Sequence, residues 1–188
     1  MKSNPTTNLW DGQKCLDNEL PWLTPEAITK LDILLTPSMK VLEFGSGGST
    51  LFFSRRTSSV LSFESSPDWY FKVRHEINKK SLNNITLDTY TTVSELLGKL
   101  PNTLFNCILI DSSRSNYMIR EKVLQNVTHL LASPRILILD NYDASFLFPN
   151  TRLLSDSEFA IAYNLESCTV QEFNHPNWVG KGTKLYYE

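Results

Sequence analysis

The chain has 188 residues, of which 41% are hydrophobic and 20% charged, and its formal net charge is −2. That length suits one α/β domain with a good core and is short for two, while the near-balanced charge excludes a general electrostatic pull toward nucleic acid. No apolar run approaches the ~18 residues of a membrane span.

Met1 to Asp11 is polar and carries no apolar signal region. Residues 1–20 as a whole read as an N-terminal arm or a cover, ahead of a single domain over 21–188. Thr24-Pro25-Glu26 has the form of a helix start, with a cap, then Pro, then an acid in the first turn. Ile28, Leu31, Leu34 and Leu35 give that helix an apolar stripe until Pro37. Val41 to Phe44 is a strand carrying Glu43. It runs into the glycine turn Gly45, Gly47 and Gly48, and a helix follows over Ser49 to Arg56. Val60 to Phe63 is a second strand ending at Glu64, and Pro67 to Lys80 a helix with Trp69, Val73 and Ile77 spaced by four.

Ile85 to Leu87 reads as a strand and Val93 to Leu100 as a short helix. Leu104 to Ile110 is a nearly continuous apolar run ending at Asp111, as expected of a strand buried on both faces of a parallel sheet. A helix is expected over Tyr117 to Leu131, and another buried strand over Arg135 to Leu139, ending at Asp140. Phe146 to Leu154 reads as partly helical. Thr169 to Phe173 and Lys184 to Tyr187 are two closing strands joined by a Pro/Gly-containing connection. Strands alternating with helices imply a parallel α/β sheet.

The spacing in the glycine turn bears on the ligand. A strand, a glycine turn and a helix N-terminus form a corner suited to the phosphate or nucleoside part of a cofactor. A dinucleotide fingerprint needs G-x-G-x-x-G, and counting from Gly45 its third glycine falls on Thr50. Glu64, 64 − 43 = 21 residues after Glu43, stands where a carboxylate can accept both ribose hydroxyls of a nucleoside. Ser65 lies beside it, and Asp88, near the end of the third strand, is placed to accept from an adenine amino group. Cys15, Cys107 and Cys168 are too far apart for a metal site, and reduced thiols in the cytoplasm are expected.

Glu43-Phe44-Gly45-Ser46-Gly47 resembles motif I of class I S-adenosylmethionine-dependent methyltransferases, acid-x-Gly-x-Gly-x-Gly, with Ser49 in place of the third glycine. Pro21-Trp22-Leu23-Thr24, Val41 to Thr50 and Ser66-Pro67-Asp68-Trp69-Tyr70 resemble a group of small, little-characterised bacterial-type members of that family. The resemblance implies a Rossmann-like three-layer sandwich, with a mostly parallel seven-stranded sheet and an antiparallel last strand. It also implies S-adenosylmethionine as cofactor, held by Glu43, Gly45, Ser46, Gly47, Gly48, Glu64, Ser65, Asp88 and Asp111.

Asp111, Asp140 and Asn141 resemble the metal-binding set of catechol-type O-methyltransferases, in which three oxygen ligands hold Mg²⁺. Where those enzymes carry a general-base Lys, three residues after the first Asp, this chain has Arg114. Arginine stays protonated and is suited instead to a carboxylate or phosphate. Asp111, Arg114 and His175 are therefore the catalytic residues expected, His175 as a base reaching in from the loop between the last strands. Tyr117, Tyr142 and Trp178 are candidates for an aromatic wall, whereas His75 and His129 read as helix-surface residues.

The resulting expectation is methyl transfer to an oxygen or nitrogen of a small-molecule acceptor, without nucleic acid or membrane, in a chain compatible with a homodimer. An NAD(P)-dependent oxidoreductase and a non-catalytic cofactor-binding protein are the alternatives on related folds.

Overall fold

A computed structural model describes residues 12–112, 119–175 and 182–188. Seven strands form one sheet: β1 (Lys40–Phe44), β2 (Ser59–Glu64), β3 (Ile85–Thr89), β4 (Phe105–Ile110), β5 (Leu131–Asp140), β6 (Thr169–Asn174) and β7 (Gly182–Tyr187). Their order is β3-β2-β1-β4-β5-β7-β6. The pairs from β3 through β5 are parallel, and β7 runs antiparallel to both its neighbours. The expected architecture is the one observed.

The central strands are apolar on both sides because helices cover both faces. On one face, Leu42, Phe44, Ile108, Ile110, Leu137 and Leu139 pack beneath α5 (Val93–Gly98), α6 (Ile119–Val127) and α7 (Asp156–Tyr163). On the other, Val41, Val60, Leu109 and Ile138 meet α2 (Pro25–Leu34) and the Phe52–Phe53 pair of α3 (Gly48–Ser54). A smaller cluster joins Leu16 of α1 (Gly12–Asp17), Leu51 of α3 and Val73 and Ile77 of α4 (Pro67–Lys79). Burying a side chain such as Leu42 contributes roughly 1.5–3 kcal/mol, so these clusters outweigh any surface ion pair.

Several elements differ from the sequence reading. The second half of the supposed arm is α1, whose Cys15 and Leu16 are buried. Thr24 precedes α2 as expected, but its side chain makes no capping bond. Strand β5 begins at Leu131, ahead of Pro134, because a register shift between Phe105 and Cys107 of β4 lets pairing continue past the proline. Phe146 to Leu154 is partly helical as expected, through the 3₁₀ turn Thr151–Leu153. That turn is held by the buried Glu121, whose Oε1 accepts the Thr151 N–H at 2.7 Å. Helix α7 was not expected; a capping box of Ser155 and Glu158 starts it.

Candidate functional site

Two chain reversals at the carboxyl edge of the sheet build the site. Gly45 leaves β1 with φ +99°, and a Cβ there would meet the Asp111 carbonyl oxygen at 2.3 Å. The turn therefore lies directly on the end of β4, an approach that only glycine permits. Gly48 opens α3 against α1 and the segment that follows it: a Cβ would stand 2.3 Å from Cys15 O and 2.1 Å from Leu20 O. These contacts make α1 one wall of a cavity of about 580 Å³, whose lining includes the glycine turn, Glu64, Trp69, Asp111 and Arg120. That volume lies within the 300–1,000 Å³ typical of small-molecule sites.

Glu43 is wholly buried behind the turn. Its Oε2 accepts the hydroxyls of Thr50 and Ser62, each at 2.5 Å. Burial raises its pKa to about 7, opposed by hydrogen bonds from the Ser49, Ser62 and Thr50 hydroxyls and assisted by the negative Asp111. Glu43 thus braces the turn from behind.

Glu64, at the tip of β2, is almost fully buried in the cavity wall. Its Oε2 accepts from Ser46 N and Ser46 Oγ, both at 3.0 Å, and its Oε1 from Ser65 N and Ser66 N, both at 2.8 Å. A carboxylate has about four lone-pair positions. This one spends all four on its own loops, and the Ser46 hydroxyl is the one mobile donor among them. Trp69 Nε1 donates to Ser46 O at 2.7 Å and fixes the turn from the α4 side.

At the ends of β4 and β5 the structure brings Asp111, Asp140 and Asn141 together, but around a side chain. Arg120, on α6, is 2% exposed. Its Nη2 donates to Asp111 Oδ1 at 2.8 Å, its Nη1 to Asp140 O at 2.8 Å and to Asn141 Oδ1 at 3.2 Å, and its Nε to Ser112 O at 2.8 Å. The Asp140 carboxylate turns away to accept the Thr183 hydroxyl at 3.0 Å. These residues do not fit Mg²⁺: two of the three expected oxygen ligands face a fixed positive charge instead. Among the described residues no group of three His, Cys, Asp or Glu is placed to hold a metal ion.

Other expected residues lie elsewhere. Asp88 points to Lys99, 3.5 Å away, and its side chain is 47% exposed, off the cavity wall. His175 follows the end of β6 and lines neither cavity described here. Tyr142 donates to Asn174 Oδ1 at 3.0 Å and lines a second cavity of about 310 Å³ beneath α7. There Lys184 Nζ is held by Asp156 and Glu172. His75 and His129 are exposed, as expected. Arg114, Tyr117 and Trp178 lie outside the described residues.

Arg120 and Trp69 are the site residues that sequence reasoning missed. The signal for Arg120 was a charge between buried positions of α6, Ile119 and Val123; Trp69 read as core but turns its indole N–H to the glycine turn.

No protein-family model and no curated protein matches the chain. Solved structures do. A methyltransferase from Geobacter sulfurreducens superposes with a TM-score of 0.58 at 16% identity, over 94% of this chain and 84% of that one. An S-adenosylhomocysteine-bound methyltransferase from Podospora anserina gives 0.52 at 20%, over 80% and 72%. This chain has the class I methyltransferase fold. An rRNA methylase from Streptococcus thermophilus shares it too, with a TM-score of 0.57 at 9% identity over 86% of this chain and 95% of that one. In this chain the antiparallel β7 lies between β5 and β6, so the two closing strands pair as neighbours. No described helix is long and apolar enough to cross a membrane.

Proposed function

We propose that this chain is an S-adenosylmethionine-dependent methyltransferase acting on an oxygen or nitrogen of a small-molecule acceptor. One observation carries the reading: a single cavity at the carboxyl edge of the sheet is lined by the glycine turn, by Glu64 and by the Asp111–Arg120 pair. Ligands of parallel α/β sheets bind outside the carboxyl ends of the strands. Bound there, S-adenosylmethionine supplies a methyl group already activated on a sulfonium.

The protein's part is placement, since a displacement of this kind depends on alignment at near-attack distance. Glu64 offers carboxylate oxygens at the tip of β2 for ribose hydroxyls, and the turn lets a ligand lie against backbone. Glu43 holds that turn from behind. Asp111 carries its charge at the head of β4, where it can face a cation, and the guanidinium beside it keeps its carboxylate oriented. The net charge of −2 supports a small acceptor over a polyanion. Three cysteines outside any disulfide support a reducing compartment, the cytoplasm.

Thermal unfolding with S-adenosylhomocysteine, with NAD⁺ and with neither tests the reading. At a hundredfold excess over its dissociation constant, a ligand of the folded state adds about 2.7 kcal/mol of stability. S-adenosylhomocysteine is expected to give such a shift and NAD⁺ none. The reverse outcome favours an oxidoreductase, and no shift with either overturns cofactor binding.

A further inference from the structure

We propose that Arg120 is the permanent cation of this site, that the site takes no divalent metal, and that it binds a ligand carrying an anionic oxygen. Calling that ligand the acceptor rests on the methyltransferase reading; the anion site itself does not.

Asp111 and Asp140 end two neighbouring parallel strands, and Asn141 follows with φ +54°. Unneutralised, two carboxylates and an amide oxygen in a nearly dry wall would be costly, and either a metal or a basic side chain can meet that cost. Here α6 supplies the basic group. The guanidinium is tied at three nitrogens to four oxygens, which belong to Ser112, Asp140, Asn141 and Asp111.

An added Mg²⁺ would need near-octahedral oxygen ligands at 2.0–2.1 Å. Asp111 Oδ1 and Asn141 Oδ1 are committed to N–H donors, and the guanidinium between them repels a cation. A guanidinium also keeps its charge at every working pH, so the wall cannot be switched to a metal-binding form by deprotonation.

Beside Lys72, which lines the cavity from α4, the same geometry leaves the site a positive resource in Arg120. Arginine has five N–H groups, and the bonds above use four, leaving one Nη2–H on a group that lines the cavity. Ser112 lines the same wall, and its buried hydroxyl finds no hydrogen-bond partner of sound geometry among the described residues. An N–H on a charged group suits an anionic oxygen, as in a carboxylate or phenolate, and the Ser112 hydroxyl beside it makes no well-formed bond even to its neighbour Tyr90.

The test has two arms, each run on the whole protein with and without S-adenosylhomocysteine. In the first, unfolding temperature and S-adenosylhomocysteine affinity are measured with MgCl₂, with MnCl₂, with EDTA and with NaCl at matched ionic strength. All four should agree. A saturable effect of Mg²⁺ or Mn²⁺ that Asp111→Asn abolishes overturns the proposal.

In the second arm, acetate, benzoate and salicylate are titrated calorimetrically against benzamide. At least one carboxylate should bind where benzamide does not, and Arg120→Met should weaken it about 10- to 100-fold, with Arg120→Lys retaining part of the affinity. No preference for any carboxylate, or an equal preference in a folded Arg120→Met, overturns the proposal. Should both variants fail to fold, the wild-type comparisons decide. Failure of S-adenosylhomocysteine to bind would strike the methyltransferase reading alone, because the metal and anion titrations are also read without it.

Discussion

The Thr50 hydroxyl donates to Glu43 Oε2 at 2.5 Å and accepts the Gly47 N–H at 2.9 Å, so one side chain ties the end of β1 to the turn that follows it. Thr50 occupies the position where a dinucleotide fingerprint requires glycine. Glycine there could make neither bond. The feature that sets this turn apart from a dinucleotide turn is thus also what holds it in shape. Thr50→Val keeps the volume and removes both bonds, leaving a buried carboxyl and a buried N–H short of a partner. It should destabilise the fold by about 1–3 kcal/mol, read as a lower urea midpoint, whereas Thr50→Ser should recover most of the loss. Equal midpoints for the Val and Ser variants would remove the hydroxyl from this role.

The same carboxyl makes stability depend on pH. Its folded pKa of about 7 lies above the ordinary glutamate value of 4.5. Between those values the folded state binds more protons than the unfolded chain, so stability falls as pH rises through that window and levels off above it. The full difference corresponds to about 3 kcal/mol. Glu43→Gln cannot ionise, and the gap between its unfolding free energy and that of the wild type should change steadily from pH 4.5 to pH 7. Parallel curves for the two proteins across that range would show that Glu43 does not titrate there.

How much of this was legible in the sequence depended on whether the cause was local. β1 and β4 read correctly because strands covered by helices on both faces must be largely apolar, and Asp111 marks where the β4 run ends. Helix α7 escaped notice because its pattern is blurred: Phe159, Ala160 and Tyr163 are buried, yet Ile161 among them is 66% exposed. Its start was written locally, in Ser155 and Glu158. The Arg120 cluster has no local signature. It depends on β4 and β5 ending side by side, 9 and 20 residues from the arginine in sequence. The same residue types at the same spacing suit a metal until a helix elsewhere provides a guanidinium. Asp88 stands at the strand end as expected, but the side chain of an edge strand is free to turn, and here it faces Lys99.

The glycines of the turn are not equivalent, and their differences separate folding from binding. Gly45 has positive φ and no room, since an added Cβ would lie 2.3 Å from a backbone oxygen. Gly47 is extended at φ 166°, and the nearest atom to an added Cβ is Trp69 Nε1 at 3.8 Å. Gly45→Ala should therefore cost at least about 1–3 kcal/mol from backbone strain alone, with the clash added, and lose S-adenosylhomocysteine binding together with the fold. Gly47→Ala should unfold at the wild-type temperature yet bind S-adenosylhomocysteine about tenfold or more weakly, a change of ~1.4 kcal/mol. Wild-type affinity in Gly47→Ala would mean that no ligand approaches this backbone closely.

Glu64 is the most direct probe of the proposed cofactor site. Its carboxylate accepts four donors, three of them backbone N–H groups of the turn and of the entry to α4. Gln keeps one accepting oxygen and places an amide NH₂ against the donors on the other side. Glu64→Gln should thus loosen both loops and, if the carboxylate also meets the ribose, weaken S-adenosylhomocysteine by about 10- to 100-fold, the range for lost hydrogen bonds to a charged group. Ser46→Ala separates the two roles. It frees one lone pair of Glu64 without touching the backbone donors, so a ribose hydroxyl no longer has a competitor there. Calorimetry should show S-adenosylhomocysteine binding to Ser46→Ala as tightly as to the wild type or more so. A loss in Ser46→Ala comparable to that in Glu64→Gln would assign the carboxylate to bracing the loops, with the ribose held elsewhere.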